Sequence, residues 1–402
     1  MKHHLKAITD HDIQIIAVVL ALLALLVRLV LIARFSHGGD DLQIYRYFGD
    51  LILKGLNPYQ APLDGSIRPS YADMPPFNLG VFAAVLSFNN SPLTLRLFFA
   101  IIDFVIVLTI GLWASRSKSW RIARMLFYGF NPLMLTTLVV VSEDKVVILL
   151  MLIMVFIFIE SRNAIGAVLT TTALTIYKWM GVFFFAPLAF YFAKRRRDLL
   201  LYGALFVAII AISHLPFFPD NLLAYKYREA RTLIQPIHAS ITTFLALAGI
   251  YHPVFVRAVI AITVVTTYTL FFLHKIGLKE LIVLSIFFTY IGAPEIGADR
   301  IVLITMPFMF IVELSRARQA AIWIVTTVAA VAIFVEFLDL PVDPTVASVL
   351  FGKGASLQHV ILMNLFPALM VFYYLKDKLT GKVASDDTLP YPLVRFLRAR
   401  AA

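Results

Sequence analysis

The chain has 402 residues, of which 60% are hydrophobic and only 15% charged, and its mean hydropathy is +0.86. A soluble domain is about 45–50% apolar, so an ordinary water-covered globule is excluded and the chain belongs in a bilayer. The formal net charge of +11 does not imply a nucleic-acid partner, because membrane proteins collect Lys and Arg in cytoplasmic loops that fix their orientation.

Spans of about 20 apolar residues recur along the chain. The basic start, MKHHLKAITDHD, runs into a long apolar stretch with no small-residue cleavage site. An uncleaved first span is therefore expected, over roughly Ile13 to Phe35. Arg28 and Arg34 lie in its outer half, where they either snorkel to the interface or meet a phosphate.

A polar loop follows, from Ser36 to Pro76. Within it, Leu42, Tyr45, Phe48, Ile52 and Leu53 fall on one face of a helix, with Asp41, Arg46, Asp50 and Lys54 elsewhere. That pattern predicts an amphipathic helix over 41–54 lying on the membrane surface. GLNPY ends it, since Gly, Asn and Pro break helices.

The apolar segment 75–88, PPFNLGVFAAVLSF, is too short to cross. If it stays on one side, the basic loop 116–124 falls in the cytoplasm, as the Lys/Arg bias requires. Further spans are predicted near 93–115, 125–142, 146–160, 164–177, 180–193, 199–217, 254–273, 281–293, 301–314, 320–338 and 358–375. In this register all six inner turns carry basic residues.

The expected fold class is therefore an all-α integral membrane protein, a polytopic bundle of about twelve spans. It forms one transmembrane domain over 1–402. Residues 36–92 make a first extracytoplasmic loop with interfacial helices, and 376–402 a cytoplasmic tail. With no Cys there is no disulfide framework and no Cys metal site.

The outer face carries a distinctive set of charges. Its acids are Asp40, Asp41, Asp50, Asp73, Glu143, Asp144, Glu295 and Asp299; its bases are Lys145, Lys178, Lys226, Arg228, Arg231, His238 and Arg300. Each one alone reads as a solvated loop charge or a paired interfacial ion. Together they place carboxylates and cations at one membrane surface, where ionisable groups at span ends are functional candidates. Glycosyl transfer from a lipid phosphate needs that combination. A base takes the proton of the acceptor hydroxyl, and cations stabilise the departing phosphate.

The pattern D-x3-Y-x9-G-L-N-P-Y, followed by Y-x3-P-P, comprises Asp41, Tyr45, Gly55, Asn57, Pro58, Tyr59, Tyr71, Pro75 and Pro76. It resembles the first outer loop of the GT-C superfamily of polyprenyl-phosphate-sugar-dependent glycosyltransferases. FNPLMLTTLVVVSEDKVV (130–147) and YKWMGVFFFAPL (177–188) are similar to two further elements of that family. AYKYREARTLIQPIHASITTF (224–244) and GAPEIGADRIVLITMP (292–307) look like its later outer loops.

The resemblance implies a helical bundle with interfacial helices in the first loop. It implies that Asp41, or its neighbour Asp40, is the catalytic base. Asp144, with Glu143 beside it, matches the family's second acidic position, although Ser142-Glu143 replaces the usual Gly-Gln. Lys178 matches the family's lysine and would face the donor phosphate. Arg228, Arg231, His238 and Arg300 are further phosphate or sugar candidates, and Tyr45 or Tyr71 candidates for stacking on a sugar.

The implied activity moves a hexose, mannose first, from a polyprenyl-phosphate donor to a glycan or lipid-linked acceptor. It would take place on the extracytoplasmic side of a plasma (inner) membrane. No cofactor is expected to be required; the adjacent carboxylates leave a divalent cation as the alternative. Outside enzymes, the alternative is a polytopic transporter or lipid flippase.

Overall fold

The computed structural model describes residues 9–34, 40–60, 74–113, 118–131, 134–135, 143–222, 249–250 and 252–292, with a few single positions beyond. All the regular structure among these residues is helical, with no strand.

The first helix, α1 (Asp10–Arg34), starts at Thr9. The Thr9 hydroxyl accepts the Asp12 backbone N–H at 3.1 Å, and the Asp12 carboxylate accepts the Thr9 N–H at 2.7 Å. This reciprocal cap satisfies donors that a helix start leaves open. Ile13, Ala17, Ala21, Ala24, Arg28 and Ile32 form its buried stripe, spaced by three and four residues. Leu22, Leu26 and Val30 on the other side are exposed, as a lipid-facing surface requires.

The small residues of the stripe let other helices come close. α4 (Pro92–Trp113) and α5 (Lys118–Phe130) pack there. A Cβ at Gly111 would fall 2.6 Å from the Ala17 Cβ and 2.4 Å from the Met125 sulfur. Glycine at that position is what allows three helices to meet.

Two shorter helices precede α4. α2 (Asp40–Leu53) and α3 (Pro76–Leu86) pack together, with Tyr45 stacked on Phe82 at 4.4 Å. Eleven residues of α3 extend only about 16 Å at 1.5 Å per residue, roughly half of the hydrocarbon thickness. Beyond α3, Asn90 returns to α2. It donates to Asp50 at 2.5 Å and accepts from Arg46 at 3.1 Å. Both neighbours of α3 in the chain are thus tied to the same short helix.

The second half of the described bundle begins with α6 (Asp144–Leu152), which continues as a π-helical turn over Ile153–Ile159. α7 (Ala164–Lys178) is capped by the Asn163 side chain, which accepts the Gly166 N–H at 2.9 Å. Thr170, Thr171, Thr172 and Thr175 are buried, and each returns its hydroxyl to the carbonyl four residues back. This satisfies polar groups where no water reaches them.

α8 (Phe185–Phe192), α9 (Arg196–His214), α10 (Pro253–Phe272) and α11 (Leu278–Gly292) follow. The basic run 194–197 meets the start of α9, where the Asp198 carboxylate accepts the Lys194 and Arg195 N–H groups. At the same end of the bundle, Lys279 at the start of α11 pairs with Glu160 at 2.7 Å.

Three helices among the described residues are long and apolar enough to cross a bilayer: Asp10–Arg34, Pro92–Trp113 and Arg196–Phe217. The other observed helices lie close to the predicted spans, with one clear difference. The span predicted over 125–142 begins earlier, at Lys118 inside the basic loop, and its helix stops at Phe130. Pro132 follows, and a proline disfavours the helical conformation of the residue before it. The spans predicted over 301–314, 320–338 and 358–375 lie outside the described residues, as does the tail.

Candidate functional site

Three consecutive residues at the start of α6 are buried: Glu143, Asp144 and Lys145. Two face one partner. The Lys178 ammonium lies 2.5 Å from the Asp144 carboxylate and 2.6 Å from that of Glu143. Asp144 is in the first turn of its helix and Lys178 in the last turn of α7. Each therefore sits where the helix macrodipole favours its charge.

Lys145 belongs to a second cluster. It donates to Asp103 Oδ2 at 2.6 Å, and Arg28 Nε donates to the same oxygen at 2.7 Å. The Tyr128 hydroxyl donates to Asp103 Oδ1 at 2.8 Å. Arg28 Nη1 also donates to the Ala24 and Gly129 carbonyls. The side chains of Arg28, Asp103 and Lys145 are fully buried.

The two clusters are joined through the chain at Asp144 and Lys145. Among the described contacts, Arg28, Lys145 and Lys178 face Asp103, Glu143 and Asp144. Burial of single ions costs several kcal/mol each; pairing with short hydrogen bonds offsets that cost.

The turn after Lys178 is tightly built. Trp179 adopts a left-handed conformation, φ 61°, and ends α7. Its ring lies 5.4 Å from that of His214 at the end of α9. A Cβ at Gly181 would fall 2.0 Å from the Thr171 carbonyl oxygen, so only glycine fits. Nearby, the Asn78 amide of α3 donates to the Tyr177 carbonyl at 3.1 Å.

The GLNPY stretch anchors the first loop. Gly55 has φ 72° and ends α2. Asn57 and Gln60 both donate to Asp220 Oδ2, at 2.8 and 2.6 Å. The Tyr59 hydroxyl donates to the Met74 carbonyl at 2.7 Å, and its ring meets that of Phe217. The motif thus ties the loop to the turn after α9.

Of the residues singled out from sequence, Glu143, Asp144 and Lys178 come together. Asp40 and Asp41 form the first turn of α2; their side chains lie outside the described residues. Leu42, the next residue, shares an apolar cluster with Ile32, Tyr45, Phe82 and Phe99, and Val146 packs against that cluster. The starts of α2 and α6 thus border the same apolar cluster. Tyr45 is buried with one ring face against Phe82. Tyr71, Arg228, Arg231, His238 and Arg300 lie outside the described residues.

Arg28 does not snorkel: its side chain is fully buried against Asp103 of the neighbouring helix. Lys145, expected on the outer face, is instead wholly buried. Asp103 and Tyr128 escaped the sequence reading. The available signal was an aspartate in the middle of an apolar span, where a carboxylate requires a partner.

Among the described residues, no three His, Asp or Glu gather in a metal-binding arrangement. Comparison of the chain with family models, curated proteins and solved structures gives no match.

Proposed function

We propose that the protein is an integral-membrane glycosyltransferase that moves a hexose, mannose favoured, from a polyprenyl-phosphate carrier to a glycan or lipid-linked acceptor. One observation carries the reading. Glu143 and Asp144 close on Lys178, and their helix borders the same apolar cluster as the start of α2, the helix that opens with Asp40 and Asp41. Carboxylates and cations are thereby concentrated at one end of an apolar bundle.

In this reading Asp41 or Asp40 takes the proton of the acceptor hydroxyl as it attacks the sugar C1. The bond from C1 to the phosphate oxygen breaks, and the lipid phosphate leaves as an anion. Lys178 already holds two carboxylates, so the leaving charge falls chiefly to Arg228, Arg231, His238 and Arg300. In this reading the apolar helices hold the polyprenyl tail, and the site faces the extracytoplasmic side of a plasma (inner) membrane. No divalent cation takes part in this scheme.

The test is transfer from labelled polyprenyl-phosphate mannose by purified protein in detergent. A general base contributes about 10²–10⁴ in rate, so Asp41→Asn or Asp40→Asn should lose activity on that scale. Wild-type rates in both variants would overturn the mechanism.

A second reading, a transporter or flippase, is favoured by one specific feature. Asp103 lies fully buried between two cations inside the bundle, and buried intramembrane carboxylates mark ion and substrate paths. Substrate flux in proteoliposomes without product formation would select it.

A further inference from the structure

Three turns close one end of the described bundle: 160–163, 193–195 and 273–277. Two contacts hold them at the same level. Lys279, at the start of α11, pairs with Glu160 at 2.7 Å. Phe190, near the end of α8, meets the ring of Phe272, the last residue of α10, at 6.5 Å. The basic run 194–197 therefore lies at the same end of the bundle as Arg162, Lys275 and Lys279. All of these cations are exposed except Lys279, which is half-buried.

The carboxylates at this end are already engaged. Glu160 holds Lys279. Asp198 accepts the Lys194 and Arg195 N–H groups, both at 2.9 Å. Glu280 accepts the Gly277 N–H and the Tyr374 hydroxyl. Across 160–163, 193–198 and 273–280, these three acids stand against seven Lys and Arg. Helix electrostatics does not account for the excess. Cations are favoured at a helix C-terminus, whereas Arg196 and Arg197 open α9 and Lys279 lies in the first turn of α11.

Exposed apolar side chains adjoin the cations. Leu200 and Leu201 follow the basic run on α9, 74% and 50% exposed. Ile165 follows Arg162, and Leu273 precedes His274 and Lys275; both are exposed. Leu200 is three residues past Arg197, about 4.5 Å along the helix axis. Cations thus give way to leucine over the depth at which a headgroup gives way to acyl chain. A dissolved anion would satisfy the cations alone, whereas the leucines need hydrocarbon.

We propose that this end of the bundle is a docking surface for anionic phospholipids. Their phosphates bind the 194–197 run, Arg162 and Lys275, and their acyl chains cover Leu200 and Leu273. Guanidinium groups suit the phosphate oxygens because they can donate two parallel hydrogen bonds. In the orientation expected from the Lys/Arg bias this is the cytoplasmic leaflet, where anionic lipids give a negative surface potential. The proposal is independent of the glycosyltransferase reading.

The experiment titrates phosphatidylglycerol and phosphatidylcholine onto the purified full-length chain in neutral detergent, with bound lipid read by native mass spectrometry. Wild type should prefer phosphatidylglycerol by about a hundredfold or more, less so as salt is raised. Arg195→Gln combined with Arg197→Gln should cut that preference about thirtyfold, which at tenfold per 1.4 kcal/mol is about 1 kcal/mol for each cation. Arg195→Lys with Arg197→Lys keeps both charges and should retain most of the preference, which separates loss of charge from loss of fold. Equal affinity of wild type for the two lipids, or an unchanged preference in the double glutamine variant, would overturn the proposal. So would thermal protection by inorganic phosphate equal to that by phosphatidylglycerol, since it would show an anion site with no part for the leucines.

Discussion

Asp103 ties α4 to α1, α5 and α6 through its carboxylate. It compensates Arg28 and Lys145 at once, from 2.7 and 2.6 Å. Removing one partner of a buried ion pair typically costs about 3–5 kcal/mol, because the remaining charge is left without compensation. Asp103→Asn should therefore lower thermal stability in detergent sharply. Adding Lys145→Met should recover part of the loss, since it removes one of the two stranded cations. An Asp103→Asn melting curve identical to wild type would show that the cluster contributes nothing. Lys178→Met should also destabilise, because it leaves Glu143 and Asp144 as adjacent like charges with their common cation gone.

At the scale of elements, α7 carries the site because both its ends are fixed. Asn163 caps the start, and Asn163→Ala should cost about 1 kcal/mol, the usual value of an N-cap, read as a shift in melting temperature. At the other end Gly181 allows the turn after Lys178 to fold back on Thr171. Gly181→Ala would drive a methyl group into a backbone oxygen that cannot move aside. It should disturb Lys178 far more than a surface change, and loss of stability together with loss of activity is the expected result. A fully active Gly181→Ala protein would show that the turn tolerates another path.

For the whole molecule, the helix order sets which positions share a side. The Asn90 contacts to α2 and the shortness of α3 keep residues 56 and 88 together. Ser161 and Lys194 lie at the opposite end of the bundle. The absence of cysteine from the sequence makes this directly measurable with single cysteines in sealed membranes. Cysteines replacing Leu56 and Phe88, both exposed, should react with an impermeant thiol reagent from outside. Those replacing Ser161 and Lys194 should react only from within. Labelling of positions 56 and 88 from opposite sides would make α3 part of a crossing segment and reverse the orientation of everything after it.

Composition and periodicity by themselves determined that this is a helical membrane protein, put an amphipathic helix at 41–54, observed over 40–53, and marked 75–88 as short for a full crossing. These are one-dimensional properties: apolar content, the 3.6-residue repeat, and length against bilayer thickness. The sequence also marked Glu143, Asp144 and Lys178 as charged groups at span ends. Only the tertiary structure decided their pairing. Asp144 and Lys145 are neighbours in the chain yet belong to different clusters, one reaching Lys178, the other Asp103 and Arg28. Helical periodicity gives the face a side chain occupies, but its partner depends on which helix packs there and how close small residues such as Ala17 and Gly111 let it come. That is why Arg28, 75 residues away from Asp103 in the chain, could be placed in its span from the sequence but not joined to its carboxylate.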